Sequence, residues 1–309
     1  MFIFKYYLLI HCNSKKGTQS VVCKMNQSFT CLNIPPNVIF YRYCTDKKAQ
    51  NMTHSLHPAA QTGFSSAAEL YQSVRPNYPQ ELVNWLAEDL LLNQESTAID
   101  LGSGTGKFLD YLKQTTPNII AVEPISEMLE QLKIVHPEVQ TQQASSHDIP
   151  LKTNSIDAIL CAQSFHWFAN IETLQEMHRL LKDSGHLGLV WNQRDETVDW
   201  VKALADFLKD YEGDTPRFHS NEWQKVFQNQ SLFGFESKKV FVQHQIGTVE
   251  DVVSRRLLST SFIAAMSPQQ QNEMKKNFES IVFEYTSKRP QDQIEFPYVT
   301  YAYHFKKTE

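Results

Sequence analysis

A chain of 309 residues, 41% hydrophobic and 20% charged, has room for one sizeable globular domain or two small ones. Its charge is uneven: residues 1–51 carry seven Lys/Arg against one acid, and the remainder carries 22 against 33. An acidic body argues against nucleic acid as partner, since a phosphate backbone requires clustered Lys/Arg. Four of the five cysteines (Cys12, Cys23, Cys31, Cys44) fall in the first 51 residues at spacings that match no zinc pattern, and Cys161 stands alone in the body. That usage excludes a disulfide scaffold and points to a reducing, cytoplasmic compartment with no metal site.

The opening MFIFKYYLLI is apolar, but it is ten residues long and interrupted by Lys5. It is too short to span a bilayer. It also lacks the basic start and small-residue cleavage site of a signal peptide. Residues 1–51 show no helical or strand period and read as a poorly ordered extension, or as translated sequence upstream of a start at Met52. Residues 52–309 read as one domain. It comprises a core over 62–196, a mainly helical cover over 197–290 and a returning strand over 291–309.

Residues 65–74 suit a short helix stopped at Arg75-Pro76, and Pro79 opens a second one with Leu82, Val83, Leu86 and Leu90 on one face. Short apolar runs follow at 96–101, 118–123, 139–145, 157–163 and 186–192. Between them lie the amphipathic segments TGKFLDYLKQ, SEMLEQLKIV and NIETLQEMHRLLK. The clearest runs lack a period of two, as expected for parallel strands buried on both faces. Strand–helix alternation of this kind predicts an α/β, doubly wound, seven-stranded and mostly parallel sheet, with its ligand at the carboxyl ends of the strands. Beyond residue 196 the pattern predicts a helix over 198–211 and a strand over 238–246. A capping box at Ser267–Gln270 opens a long helix carrying Met274, Phe278, Ile281, Val282 and Tyr285. An alternating aromatic strand closes the chain at 295–307.

The candidate ligand turn is AIDLGSGTG (98–106), in which Asp100 precedes Gly102, Gly104 and Gly106. A dinucleotide loop, GxGxxG, would need its third glycine at position 107, which is Lys107. The pattern here is DxGxGxG, an apolar strand leading through glycines into a helix whose N-terminal N–H groups favour a nucleotide. Glu123 ends the next strand 17 residues past Gly106, where a carboxylate can accept both hydroxyls of a ribose.

These features resemble motif I and its acidic partner in the class I S-adenosylmethionine-dependent methyltransferases, type 11 domains among them. The resemblance covers roughly residues 64–309. It implies S-adenosyl-L-methionine (SAM) as cofactor and a Rossmann-like fold. Asp100 would hold the ammonium end, Gly102, Ser103, Gly104 and Gly106 would pass the methionyl group, and Pro124, Ile125 and Met128 would flank the adenine. In the family an acid, Ala-Glu and then Leu-Pro mark the adenine turn. Here the aligned residues are Ser145 to Pro150, with no acid at the expected place, so that contact passes to Ser146, His147, Asp148 or backbone. Ala162 and Gln163 would face the cofactor from the end of the fourth strand.

Tyr71-x3-Arg75-Pro76-x-Tyr78-Pro79, FHWF (165–168) and LVWNQRD (189–195) resemble a subgroup near trans-aconitate and related small-molecule methyltransferases. His166 stands where a general base would serve a protonated acceptor, or is simply a packed residue. Tyr71, Arg75, Trp167, Trp191 and Arg194 are the acceptor-site candidates, with core packing as the alternative for Trp167 and a surface ion pair as that for Arg75. The favoured reading is methyl transfer to a small-molecule acceptor, preferably a carboxylic acid, with no nucleic-acid, membrane or obligate protein partner. A protein- or nucleic-acid-directed methyltransferase and a non-catalytic SAM-binding module remain as alternatives.

Overall fold

The computed structural model describes residues 73–309, together with the backbone of two strands near the start of the chain. The chain divides into two compact units, Met1–Ser55 and Leu56–Glu309. In the first, β1 (Tyr6–Ser14) and β2 (Gly17–Met25) pair antiparallel with Ser14 opposite Gly17. The expectation of no strand period over 1–51 does not hold for these two segments. Tyr71 and most of the helix expected over 65–74 lie outside the described residues.

The second unit is built on a seven-stranded sheet. Its strands are β3 (Thr97–Leu101), β4 (Asn118–Val122), β5 (Gln140–Gln142), β6 (Ile156–Ala162), β7 (Leu181–Arg194), β8 (Phe233–Thr248) and β9 (Gln293–Lys307), in the order β5-β4-β3-β6-β7-β9-β8. β5 to β7 run parallel, while β9 pairs antiparallel with both β7 and β8. The chain moves outward from β3 to β5 and then returns to the other side of β3 with β6. A doubly wound sheet opens its ligand crevice at such a reversal.

Alternate residues of one strand feed opposite faces. Ile99 and Leu101 pack with Ile159, Cys161 and α4 (Ile171–Leu180), whose Leu174, Met177 and Leu180 face the sheet. Ala98 points the other way, with Ala121, Ala158 and Leu160, against α1 (Leu82–Glu88) and α2 (Leu109–Leu112). Burial on both faces is why the strands carry no alternation. Gly188 of β7 has a packing reason: a Cβ there would sit 2.5 Å from Leu160 Cδ1 and 2.9 Å from Trp85 Cη2. Between β4 and β5 lies α3 (Ser126–Val135), with Met128, Leu129 and Leu132 buried.

The region 197–290 is not continuously helical. After α5 (Asp199–Glu212) come a 3-10 segment (Glu222–Phe227) and all of β8, then a π-helical stretch (Val249–Arg255), α6 (Arg256–Leu258), α7 (Ser261–Ala264) and α8 (Pro268–Thr286). The strand expected over 238–246 is present and longer, and as an edge strand it leaves Val240, Val242 and Ile246 exposed. The helices share a core with the first half of β9, where Trp200, Leu204, Val253, Phe278 and Val282 meet Phe296 and Tyr298. Tyr285 of α8, expected in the apolar stripe, is exposed.

The expected capping box is present. Ser267 accepts from the Gln270 N–H, and Gln270 Oε1 accepts from the Ser267 N–H. Ser267→Ala removes one of these bonds at an exposed site and is expected to cost about 1 kcal/mol. A melting temperature lowered by roughly 2–4 °C would register it; an unchanged one would mean that the packed face of α8 holds the helix start by itself.

Candidate active site

The glycine turn is fixed by its neighbours. The N–H groups of Gly102 and Ser103 donate to Val122 O at 2.8 and 3.2 Å, and the N–H of Gly104 donates to Glu123 Oε2 at 2.9 Å. Ser164 Oγ, just past β6, donates to Leu101 O at 2.7 Å. Three strand ends are thereby tied together. All three glycines have positive φ. At Gly102 a Cβ would come within 2.6 Å of Ser164 Cβ, whereas at Gly104, with φ +56°, no atom lies within 4 Å of it. Gly104 is therefore the point where the chain leaves room for something else. The sequence also points to a helix N-terminus as an anion or nucleotide holder. The structure corrects this: α2 is four residues long and the first three turn donors are spent on the scaffold.

Above Gly104 opens a cavity at the carboxyl ends of β3, β4 and β6. Of the expected cofactor residues its wall holds Asp100, Gly102, Ser103, Gly104, Glu123, Pro124, Ile125, Met128, Ala162 and Gln163. Gly106 is not in the wall; it makes room for His136, whose Cδ2 would be 2.7 Å from an added Cβ. Ser146, His147 and Asp148 are not in the wall either. Ser146 bonds Thr173 Oγ1 at 2.8 Å, and the turn closes on itself through the Ser145–Asp148 bridge. Trp167, placed by sequence among acceptor residues, lines this cavity instead. Tyr78, Thr105, Lys107, Phe108, Ser164 and Phe168 complete the wall. Of the three aromatics, the sequence held a signal for Tyr78 alone, in its Tyr-Pro motif.

The two carboxyls at the floor differ. Glu123 is buried, with Oε2 accepting from Gly104 and Oε1 from the Ile125 N–H at 3.0 Å, and burial still pushes it up to about 7. Each oxygen keeps a second lone pair for a ribose hydroxyl. Asp100 is buried, neither of its oxygens has a partner, and burial, then Glu123, push it up to about 8. A buried acceptor without a donor is costly. A cationic ammonium with N–H donors would meet that need. Beside it Ser103 Oγ is likewise unpartnered. The cradle over Gly104, the orphaned Asp100 and the apolar side at Pro124, Ile125 and Met128 fit a nucleoside carrying an amino-acid end.

A second cavity lies beyond the first, and among the described residues only Gln163 belongs to both walls. Gln163 holds a left-handed φ of +61°, kept by its N–H donating to Val190 O and by its amide donating to Asn192 O at 3.0 Å. This wall contains the expected Arg75, His166, Trp191 and Arg194, together with Arg217, Arg256 and Glu212. Arg75 is positioned by Ser259, through Nε to Oγ at 3.0 Å and Nη2 to the carbonyl at 2.8 Å. Trp191 is buried and donates from Nε1 to His166 Nδ1 at 3.1 Å. An indole N–H can only donate, so Nδ1 carries no proton and the neutral ring carries it on Nε2. Burial, aided by Arg217, His219 and Arg75, lowers His166 to about 3. His166 is thus neutral at pH 7, with its basic nitrogen engaged, and the arrangement makes it a hydrogen-bond donor where the sequence suggested a base.

Residues 99–189 match the family described as "Methyltransferase domain". An uncharacterised methyltransferase-like protein of Schizosaccharomyces pombe is 36% identical over 245 residues, covering 79% of this chain and 95% of that one. This chain belongs to the class I SAM-dependent methyltransferases. An uncharacterised methyltransferase of Mycobacterium bovis is 34% identical over 215 residues, spanning 64% of this chain and 86% of its own. Among solved structures, one described as a type II methyltransferase from Anaeromyxobacter dehalogenans superposes with a TM-score of 0.56 at 22% identity, covering 76% and 97% of the two chains. The [4+2]-cyclase SpnF superposes at 0.50 with 14% identity, covering 82% and 98%. Methyltransferases and a cyclase share this fold, so the acceptor must be argued from the site. The names of these relatives specify no acceptor, and the likeness to trans-aconitate methyltransferases rests on the sequence motifs alone.

Proposed function

We propose that the protein moves a methyl group from SAM to a small-molecule acceptor that presents a carboxylate. The observation that carries the reading is the second cavity: four guanidiniums against the single carboxylate of Glu212, joined at Gln163 to a cavity fitted to the donor. When bound, the sulfonium supplies an activated methyl. An acceptor carboxylate held beside Gln163 would take that methyl as an ester while the donor became a neutral thioether, so no proton would have to move. The protein's task is then to position, which is worth roughly 7–11 kcal/mol of barrier. A neutral His166 fits an acceptor that needs no base. The acidic body speaks against a nucleic-acid acceptor, and the cationic second cavity favours a small acidic one. Among the described residues no helix is long and apolar enough to cross a membrane.

Methyl transfer from labelled SAM to panels of carboxylic acids, amines and phenols tests this. Acids are expected to be labelled; labelling of amines or phenols alone would overturn it. His166→Gln separates the two roles of that residue. Glutamine can still accept from Trp191 and donate to a ligand, so kcat is expected to stay within about 10-fold. A lost general base would cost roughly 100- to 10,000-fold.

A further inference from the structure

We propose that Gln243, Thr300 and Asn192 are positioning residues for the donor: with the Asn77 carbonyl they close a hydrogen-bonded ring that fixes Tyr78 in the wall of the donor cavity. The proposal rests on the donor lying in the first cavity and is independent of what the acceptor is.

The ring answers a need of the segment it holds. Residues 75–79, Arg-Pro-Asn-Tyr-Pro, belong to no helix or strand. Each proline removes an N–H donor and keeps the residue before it out of the helical region. The carbonyls of such a segment must be satisfied from outside it. The segment passes both cavities, with Arg75 in the wall of the second and Tyr78 in that of the first. At one end Gln245 Nε2 donates to Val74 O at 3.0 Å. At the other the Tyr111 hydroxyl donates to Tyr78 O at 2.5 Å and accepts from the Tyr78 N–H at 2.9 Å. Between these pins Asn77 O accepts from two amides, Asn192 Nδ2 at 3.0 Å and Gln243 Nε2 at 2.8 Å.

Those two amides are joined behind the segment. Asn192 of β7 lies opposite Thr300 of β9. The Thr300 hydroxyl donates to Asn192 Oδ1 at 2.6 Å and accepts from Gln243 Nε2 at 3.3 Å. A carbonyl only accepts, so both amides turn their nitrogens to Asn77, and the oxygen of Asn192 is left for Thr300. Every proton direction in the ring is thereby fixed. Asn192 and Thr300 are buried, so a bond removed there leaves its partner unsatisfied. The Asn192 carbonyl also accepts from Gln163 Nε2, which ties the ring to the residue shared by the two cavities. Gln243 and Thr300 themselves line neither cavity. The outermost strand of the sheet, β8, therefore reaches the donor through Asn77 and its peptide bond to Tyr78. A wall fixed before the ligand arrives takes none of the binding free energy for its own ordering.

The test is calorimetry of S-adenosylhomocysteine binding to the full chain, well below the melting temperature of each protein. Gln243→Ala is expected to weaken binding roughly 5-fold and Thr300→Val roughly 10-fold, the range of one hydrogen bond. Thr300→Ser keeps the hydroxyl and is expected to stay within about two-fold of wild type. Val242→Ala, on the other face of β8 and exposed, is expected to change nothing. The double variant Gln243→Ala/Thr300→Val is expected to bind no more than about two-fold more weakly than Thr300→Val alone, because a ring opened once is open. A ring that served the fold alone would lower melting temperatures and leave the affinity of the folded protein untouched. Gln243 lies on the edge strand and is only half-buried, so its variant decides the matter even if Thr300→Val does not fold. Wild-type affinity in the folded single variants, a loss in Thr300→Ser equal to that in Thr300→Val, or single losses that multiply in the double variant would overturn the ring while leaving the donor in its cavity. Failure of the wild type to bind S-adenosylhomocysteine would overturn both.

Discussion

Gly104→Val is expected to lower affinity for S-adenosylhomocysteine by at least about 100-fold, or ~2.8 kcal/mol. Two effects combine. The residue holds φ at +56°, where a β-branched side chain is strained by about 1–3 kcal/mol. The direction in which a Cβ would project is open for 4 Å and lies in the cavity wall, so the valine methyls would occupy ligand space. The N–H that this residue donates to Glu123 depends on the same conformation, so the strain also reaches the carboxylate expected to hold the ribose. Calorimetry on folded variant protein reads the result. Gly104→Ala is expected to fall between wild type and valine, since it carries the backbone strain with little of the blocking volume. Wild-type affinity in the valine variant would mean that the donor does not lie over this turn.

The sheet was legible because its physics is local. Strands buried on both faces must be apolar at successive positions, as at Ile119–Val122 and Ala158–Cys161, and glycines at alternate positions after Asp100 permit the positive φ values that the turn adopts. The paired carboxylates were legible for the same reason: each ends a strand, and strand ends converge at the reversal of a doubly wound sheet. The edge strand β8 was legible in its middle, 238–246, but its two ends, which carry it to Phe233 and Thr248, were not.

What sequence spacing did not reveal is the second cavity's cationic wall. Arg217 and Arg256 lie in separate parts of the cover, on either side of β8, and neither sits in a motif. They meet Arg75 and Arg194 only because the cover folds back over the end of β7. The placement of Trp167 failed for a related reason. FHWF forms a 3-10 turn, Phe165–Trp167, whose successive side chains diverge: Phe165 enters the core, His166 the acceptor cavity and Trp167 the donor cavity. Four adjacent letters serve three environments, and only the backbone path separates them. The adenine turn shows the converse. The alignment places Ser146 to Asp148 at the ligand, but the hydroxyl of Ser146 is taken by Thr173.

Asp100→Asn is expected to stabilise the empty protein at pH 8 while weakening donor binding about 100-fold, a combination that a merely structural carboxylate would not produce. In the unfolded chain this carboxyl ionises near 3.9, as any aspartate does. In the folded protein burial, and then Glu123, hold it protonated up to about 8. Between about pH 4 and pH 8 the unfolded state has released a proton that the folded state retains, so wild-type stability falls as pH rises through that window and levels off above it. Asparagine has no proton to lose and removes that fall, so its melting temperature is expected to exceed wild type by several degrees at pH 8 and to match it near pH 4. Binding runs the other way. The ammonium of S-adenosylhomocysteine favours the ionised carboxyl, so wild type is expected to release about one proton per ligand at pH 7, seen as a binding enthalpy that changes with the ionisation heat of the buffer. Glu123, raised to about 7, adds to that release if ribose hydroxyls donate to it. The asparagine variant is expected to lose the Asp100 share along with the charge-assisted bond. Equal proton release in the two proteins would place the ammonium elsewhere in the cavity and return Asp100 to the role of a buried residue of the fold.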